Sequence, residues 1–154
     1  MKIPLVDLKH QYYDLKEEID RAIQSVLDSG QFILGKKVQA LEEAIAEYSN
    51  ARYAIGVASG TDALTLALIS LGIGAGDEVI TTPFTFIATS EAISKVGARP
   101  VFVDIEPKTY NIDANRLEEV CQQRARSKKL RAILPVHLYG NPCDLDRILE
   151  IANK

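Results

Sequence analysis

Residues Gly76–Ile105 read GDEVITTPFTFIATSEAISKVGARPVFVDI, and the order of patterns in them decides the fold class. Glu78–Thr82 is a short apolar run rich in β-branched residues, which predicts a strand. Phe86–Val96 carries apolar residues at helical spacing, and Gly97 stands where a helix should stop. Pro100–Ile105 is a second apolar run. Neither run alternates apolar with polar residues, as expected for strands covered on both faces. A helix between two such strands is a parallel β–α–β unit.

The pattern repeats on both sides. Upstream, Tyr53–Ala58 predicts a strand and Thr61–Ser70 a helix. Downstream, Asp113 is a fitting N-cap for a helix over Ala114–Arg126. Leu130–Val136 then predicts a strand, and Asp144–Asn153 an amphipathic helix. Two helices precede all of this. Tyr12, Leu15, Ile19, Ile23 and Leu27 form an apolar stripe that Gly30 ends. Val38, Leu41, Ile45 and Tyr48 form a second stripe between Gly35 and Asn50. Between the helices, GQFILG (Gly30–Gly35) carries three apolar residues that want a surface to cover. The expected architecture is α/β, a mainly parallel sheet flanked by helices.

Composition narrows the class. The 154 residues are 47% hydrophobic and 25% charged, an ordinary globular balance, with a net charge of −3. This excludes a disordered or collagen-like chain and speaks against a dedicated nucleic-acid binder, which carries a basic field. The start of the chain lacks a signal-peptide pattern. Ala54–Gly76 is nearly free of charge, but Asp62 lies inside it and Gly72, Gly74 and Gly76 break its end, so no membrane span is expected. Cys121 and Cys143 have no metal-ligand spacing and read as buried thiols in a reducing cytosol. The cations Arg124, Arg126, Lys128, Lys129 and Arg131 read as a solvated helix end.

Four segments bear on chemistry. In GVASGTDALTL (Gly56–Leu66) a strand leads through a small-residue turn into a helix. Free amides at Gly60, Thr61 and Asp62, the helix dipole and the Thr61 hydroxyl would together suit an anion. An ordinary turn capped by Ser59 or Thr61 has the same composition. The glycines at 72, 74 and 76 imitate a dinucleotide fingerprint, but they follow a helix and precede a strand, the reverse of what that motif needs. TTPFTFIATS (Thr81–Ser90) leaves a strand where ligands bind in parallel sheets, and Phe84 and Phe86 offer aromatic faces there. LPVHLYG (Leu134–Gly140) also leaves a strand, and its His137 is one of two histidines; a structural role suits it as well as a catalytic one. No Ser/His/Asp set, HExxH, CxxC or EF-hand pattern is present, and no metal site is expected.

Taken in order, IPLVDL (Ile3–Leu8), SGQFILG (Ser29–Gly35), SGTDAL (Ser59–Leu64), GDEVITTPFTFIAT (Gly76–Thr89), PVFVDI (Pro100–Ile105), NID (Asn111–Asp113) and PVHLYG (Pro135–Gly140) resemble the N-terminal part of the DegT/DnrJ/EryC1/StrS family of sugar aminotransferases. The resemblance implies the large domain of the aspartate-aminotransferase fold (fold type I), cut short over residues 1–154, with the small C-terminal domain absent. It implies pyridoxal 5'-phosphate (PLP) as cofactor, with Gly60, Thr61 and the Asp62 amide on its phosphate and Phe86, after Thr85, stacked on its ring. It implies amino transfer, usually from glutamate, onto the keto carbon of a nucleotide-linked sugar for surface polysaccharide or antibiotic sugars. A cytoplasmic homodimer follows, without nucleic-acid or membrane partners.

One departure stands out. The family's catalytic lysine, and the aspartate that pairs with the pyridine nitrogen, match nothing here, so no catalytic residue is assigned. Ten lysines are present; nine read as exposed helix, loop or tail positions, and Lys95 is expected at a helix end away from the anchor turn. A PLP-dependent sugar dehydratase on the same scaffold, with histidine for lysine, is the alternative enzyme. A non-catalytic binding or regulatory module is the alternative of another class.

Overall fold

The structure, a computed structural model, describes residues 5–124 and 127–154. Lys2, Ile3 and Pro4, together with Ala125 and Arg126 at the expected helix end, lie outside the described residues. The chain divides into two compact units, Met1–Gly56 and Val57–Lys154.

The first unit holds α1 (Leu8–Ser29) and α2 (Lys36–Tyr48). The Asp7 carboxylate caps α1 by accepting from the His10 amide at 3.1 Å. Gly30 ends it in the left-handed region at φ 63°, with its N–H on the Val26 and Leu27 carbonyls. Such a C-terminal turn favours glycine because a Cβ is strained there. Neither helix contains a buried residue, and Phe32, Ile33 and Leu34 of the connecting loop are exposed.

The second unit runs α3 (Gly60–Ser70), β1 (Glu78–Thr81), α4 (Ala88–Lys95), β2 (Arg99–Phe102), α5 (Ala114–Arg124), β3 (Leu130–Ile133) and α6 (Leu145–Ala152). The strands form one sheet in the order β2-β1-β3, and both pairings are parallel. Successive residues of β1 point to opposite faces. Val79 packs with Leu68 of α3, Ala92 and Ile93 of α4, and Ala98. Ile80 packs on the other face with Val101, Leu117 of α5, and Ile148 and Ile151 of α6. Helices therefore lie on both faces, which is why β1 buries Val79 on one side and Ile80 on the other. Full burial of each such side chain is worth about 1.5–3 kcal/mol.

Several boundaries differ from the sequence expectation, among them that of β3, which stops at Ile133 and not at Val136. β2 is shorter than Pro100–Ile105; one more ladder bond, Val103 N–H to Thr81 O at 2.9 Å, follows it, and Ile105 then bridges antiparallel to Ile112. The expected strand over 53–58 does not form among the described residues. A strand exists only through a neighbour's hydrogen bonds, and the segment pairs in a ladder with none of the described residues. Its Gly56 amide donates instead to the Glu42 carboxylate of α2 at 2.6 Å, and Tyr53 and Ile55 are exposed.

Glu78 opens β1 as a buried acid, its side chain 5% exposed. It is bonded to the Arg99 guanidinium and, at 2.6 Å, to that of Arg124 at the end of α5. The Arg99 bond holds its carboxyl below the ordinary carboxylate range; burial opposes this, and Arg124 adds to it. A depressed native pKa adds stability that is present above the unfolded value and lost as pH falls through the folded one. Glu78→Gln should therefore cost about 1–2 kcal/mol at pH 7, less than a fully buried pair because the Arg99 side chain is 66% exposed. Urea unfolding at pH 7 and pH 3 checks this: the gap to the parent should close at the lower pH.

Candidate functional site

Adjacent strands whose following helices lie on opposite faces leave a crevice at their carboxyl ends, where ligands settle in open parallel sheets. β1 and β3 are such a pair. The chain leaves β1 for α4 on one face and β3 for α6 on the other. At that end of the pair stand the turns over 82–87 and 134–144. Leu64, one turn into α3, and Leu134, just past β3, pack against the same core.

The α3 start is built by Ser59. Its backbone is extended (φ −161°, ψ 165°), and its Oγ accepts from the Asp62 amide at 3.1 Å. The same hydroxyl donates to the Asp62 carboxylate at 3.1 Å. This corrects one expectation: the Asp62 amide is not free, because the N-cap has taken it. The Gly60 and Thr61 amides find no acceptor among the described residues. A Cβ at Gly60 would meet nothing within 4 Å, so its backbone faces open space. Lys95 also departs from expectation, since its Nζ lies 3.6 Å from the Asp62 Oδ1, beside the anchor turn. It offsets a carboxylate that would otherwise repel an anion there.

Phe86 lies in the turn after β1 and not in the helix expected to begin with it; α4 starts at Ala88. The Thr89 amide bonds back to the Phe86 carbonyl at 3.1 Å. Thr85 and Thr89 share a hydroxyl bond of 3.0 Å, and Thr82 Oγ1 accepts from the Phe84 amide at 3.2 Å. These short bonds shape the turn. The Phe86 ring is 77% exposed. Phe84 is exposed to a lesser degree, with its ring tilted against Tyr110 at 5.9 Å between centroids. The structure thus sets Gly60–Asp62 and Phe86 on two separate turns of one unit.

His137 is structural: its Nδ1 accepts from the Cys143 amide at 2.9 Å. The Cys143 thiol is buried and donates to the Val136 carbonyl at 3.0 Å. Cys121 is only partly buried, so that expectation holds for one thiol of the two. Burial pushes both thiols up in pKa, away from nucleophilic use. Sequence reasoning assigned nothing to Asn111, whose side chain bonds three backbone groups of the 138–142 turn. Its burial, which gives it this role, shows only in the structure.

No helix among the described residues is long and apolar enough to cross a membrane. No group of three or more potential metal ligands occurs among them.

Known proteins resemble this chain closely. The profile of the DegT/DnrJ/EryC1/StrS aminotransferase family matches residues 13–154. A "pleiotropic regulatory protein" of Geobacillus stearothermophilus is 49% identical over 100% of this chain and 40% of its own length. The UDP-2-acetamido-2-deoxy-3-oxo-D-glucuronate aminotransferase of Pseudomonas aeruginosa is 47% identical over 99% of this chain and 41% of its own. The crystal structure of ntda from Bacillus subtilis, with its cofactor PMP bound, superposes with a TM-score of 0.90 at 37% identity, over 99% of this chain and 34% of that one. The chain spans about 40% of the length of the curated relatives it matches.

Proposed function

The chain belongs to the DegT/DnrJ/EryC1/StrS aminotransferase family, and from that premise we propose that it forms part of the large cofactor-binding domain of a PLP-dependent nucleotide-sugar aminotransferase. Its parallel sheet with helices on both faces is that of the fold type I aminotransferases. The carrying observation is the α3 start, with two amides lacking acceptors and an open approach at Gly60. These residues fit a phosphate: backbone donors, a threonine hydroxyl and the positive end of an eleven-residue helix.

In this reading the Gly60 and Thr61 amides and the Thr61 hydroxyl hold the phosphate. Asp62 joins them only when Ser59 turns away from its amide. Lys95 neutralises the Asp62 carboxylate beside the incoming dianion. Phe86 lends its exposed face to the flat ring and keeps water from that side. PLP supplies the electron sink for moving an amino group, and the protein supplies orientation and electrostatics. Glutamate as donor, a nucleotide-linked keto-sugar as acceptor, a homodimer and a cytoplasmic location complete the proposal. A regulatory role on the same scaffold is favoured by the name of the Geobacillus relative; glutamate-dependent turnover of a whole protein carrying this chain separates the two.

Thr61→Ala tests the anchor. It should weaken PLP binding by about 1–2 kcal/mol, roughly tenfold, the scale of one hydrogen bond to a charged group. Equilibrium dialysis reads this directly, and an unchanged affinity refutes the assignment.

A further inference from the structure

Two of the quoted motifs, NID and PVHLYG, have no role so far, and the structure joins them. Asn111 is buried, with 5% exposure. Its Nδ2 donates to the Asn141 carbonyl at 3.1 Å and to the Pro142 carbonyl at 3.0 Å. Its Oδ1 accepts from the Leu138 amide at 3.2 Å. The amide orientation is fixed by this set, because the flipped form would aim an oxygen at two carbonyls. Its backbone is engaged as well, the carbonyl accepting from the Glu106 amide at 2.9 Å. A return bond runs from Asn141 Nδ2 to the Thr109 carbonyl at 3.3 Å.

This network sits between two bulky residues in the left-handed region, Tyr110 at φ 61° and Tyr139 at φ 53°. Such conformations persist only where surrounding bonds over-determine them. Asn111 bonds the Tyr139 turn at 138, 141 and 142, beside the turn's own bonds from the Leu138 amide to the Val136 carbonyl and from the Asn141 amide to the Leu138 carbonyl. Tyr110 in turn rests on Phe84, two residues before Phe86. The turns that leave β1 and β3 therefore meet through one dipeptide of the loop between β2 and α5.

We propose that Asn111 is a positioning residue: it locks the 138–142 turn and, through Tyr110 against Phe84, holds the Phe86-bearing turn in register with it across the crevice. The link to catalysis rests on the cofactor reading above; the mechanical coupling does not.

Hydrogen exchange on the 154-residue chain without cofactor, resolved by peptide, tests the coupling. Asn111→Ala should raise exchange at least tenfold over 136–143 and over 83–87, while Val79–Thr81 of the sheet keeps its protection. Asn111→Asp gives a chemical check. As a carboxylate it faces two carbonyls and should loosen both turns at pH 8; protonated at pH 5 it regains a donor and should restore them. The parent chain at both pH values controls for His137, Tyr139 and Cys143, the titratable groups in and beside the same turn. Asp113, the neighbouring acid, is engaged at the start of α5 and with Arg116. Should Asn111→Ala fail to fold, Tyr110→Leu decides: it should free 83–87 and leave 138–142 protected. Uniform loss of protection, no change in either turn, or no recovery of Asn111→Asp at pH 5 would each overturn the proposal. A PLP titration of the parent, followed by absorbance, is read separately. Absence of binding there sinks the cofactor reading and leaves the exchange result standing.

Discussion

A Gly60→Val variant is expected to fold as firmly as the parent and to bind PLP about 100-fold more weakly. The two halves have separate causes. In the fold, a Cβ at this position meets no atom within 4 Å. Gly60 is the first residue of α3 and its φ is not in the left-handed region, so a side chain is tolerated and the unfolded chain loses freedom. That sign favours stability by a few tenths to about 1 kcal/mol. At the anchor the branched side chain fills the space through which the phosphate reaches the Gly60 and Thr61 amides. Losing two charge-assisted bonds, at about 1.5 kcal/mol each, gives about 3 kcal/mol. Thermal melting and cofactor titration on one preparation check both halves. Equal affinity in parent and variant would remove the anchor from α3, and a lowered melting point would mean the open space is not there.

The 154-residue chain alone should show no glutamate-dependent turnover, and borohydride reduction with PLP should label lysines slowly and at several places. A lysine that carries the cofactor must be poised by burial or by a neighbouring cation, otherwise solvation keeps it protonated. All nine lysines at described positions are exposed. Lys95 lies beside the anchor turn, yet its side chain is 60% exposed and its partner is a carboxylate. Peptide mapping by mass spectrometry reads the outcome. One stoichiometric adduct accompanied by turnover would overturn the expectation.

How much of this was legible in the sequence varies by the range of the forces involved. Helices announce themselves locally. The stripe Tyr12–Leu27 with Gly30, and Asp113 before α5, carry their own periodicity and caps, and both form. The β1–α4–β2 unit was legible for the same reason. The 53–58 run has strand composition, but pairing is a property of two segments, and one segment cannot state it. The α3 start was visible as a turn of small residues. Which amides stay free depended on the rotamer of the Ser59 hydroxyl, on which composition is silent. Lys95 reaches Asp62 across the packing of two helices, and Asn111 reaches the 138–142 turn across three strand ends. Neither reach has any trace in spacing.

The two cores of the second unit also differ in when they can exist. The one around Val79 draws its buried members from Leu68 to Ala98 only. The one around Ile80 needs Val101, Leu117, Cys143 and Ile151 as well. On a ribosome, where residues emerge from the amino end at roughly 5–20 per second, the first face of the sheet can collapse while the second is still being synthesised. For some seconds β1 then shows Ile80 to water on its bare side, and that nascent face is what a chaperone or a neighbouring chain would meet first.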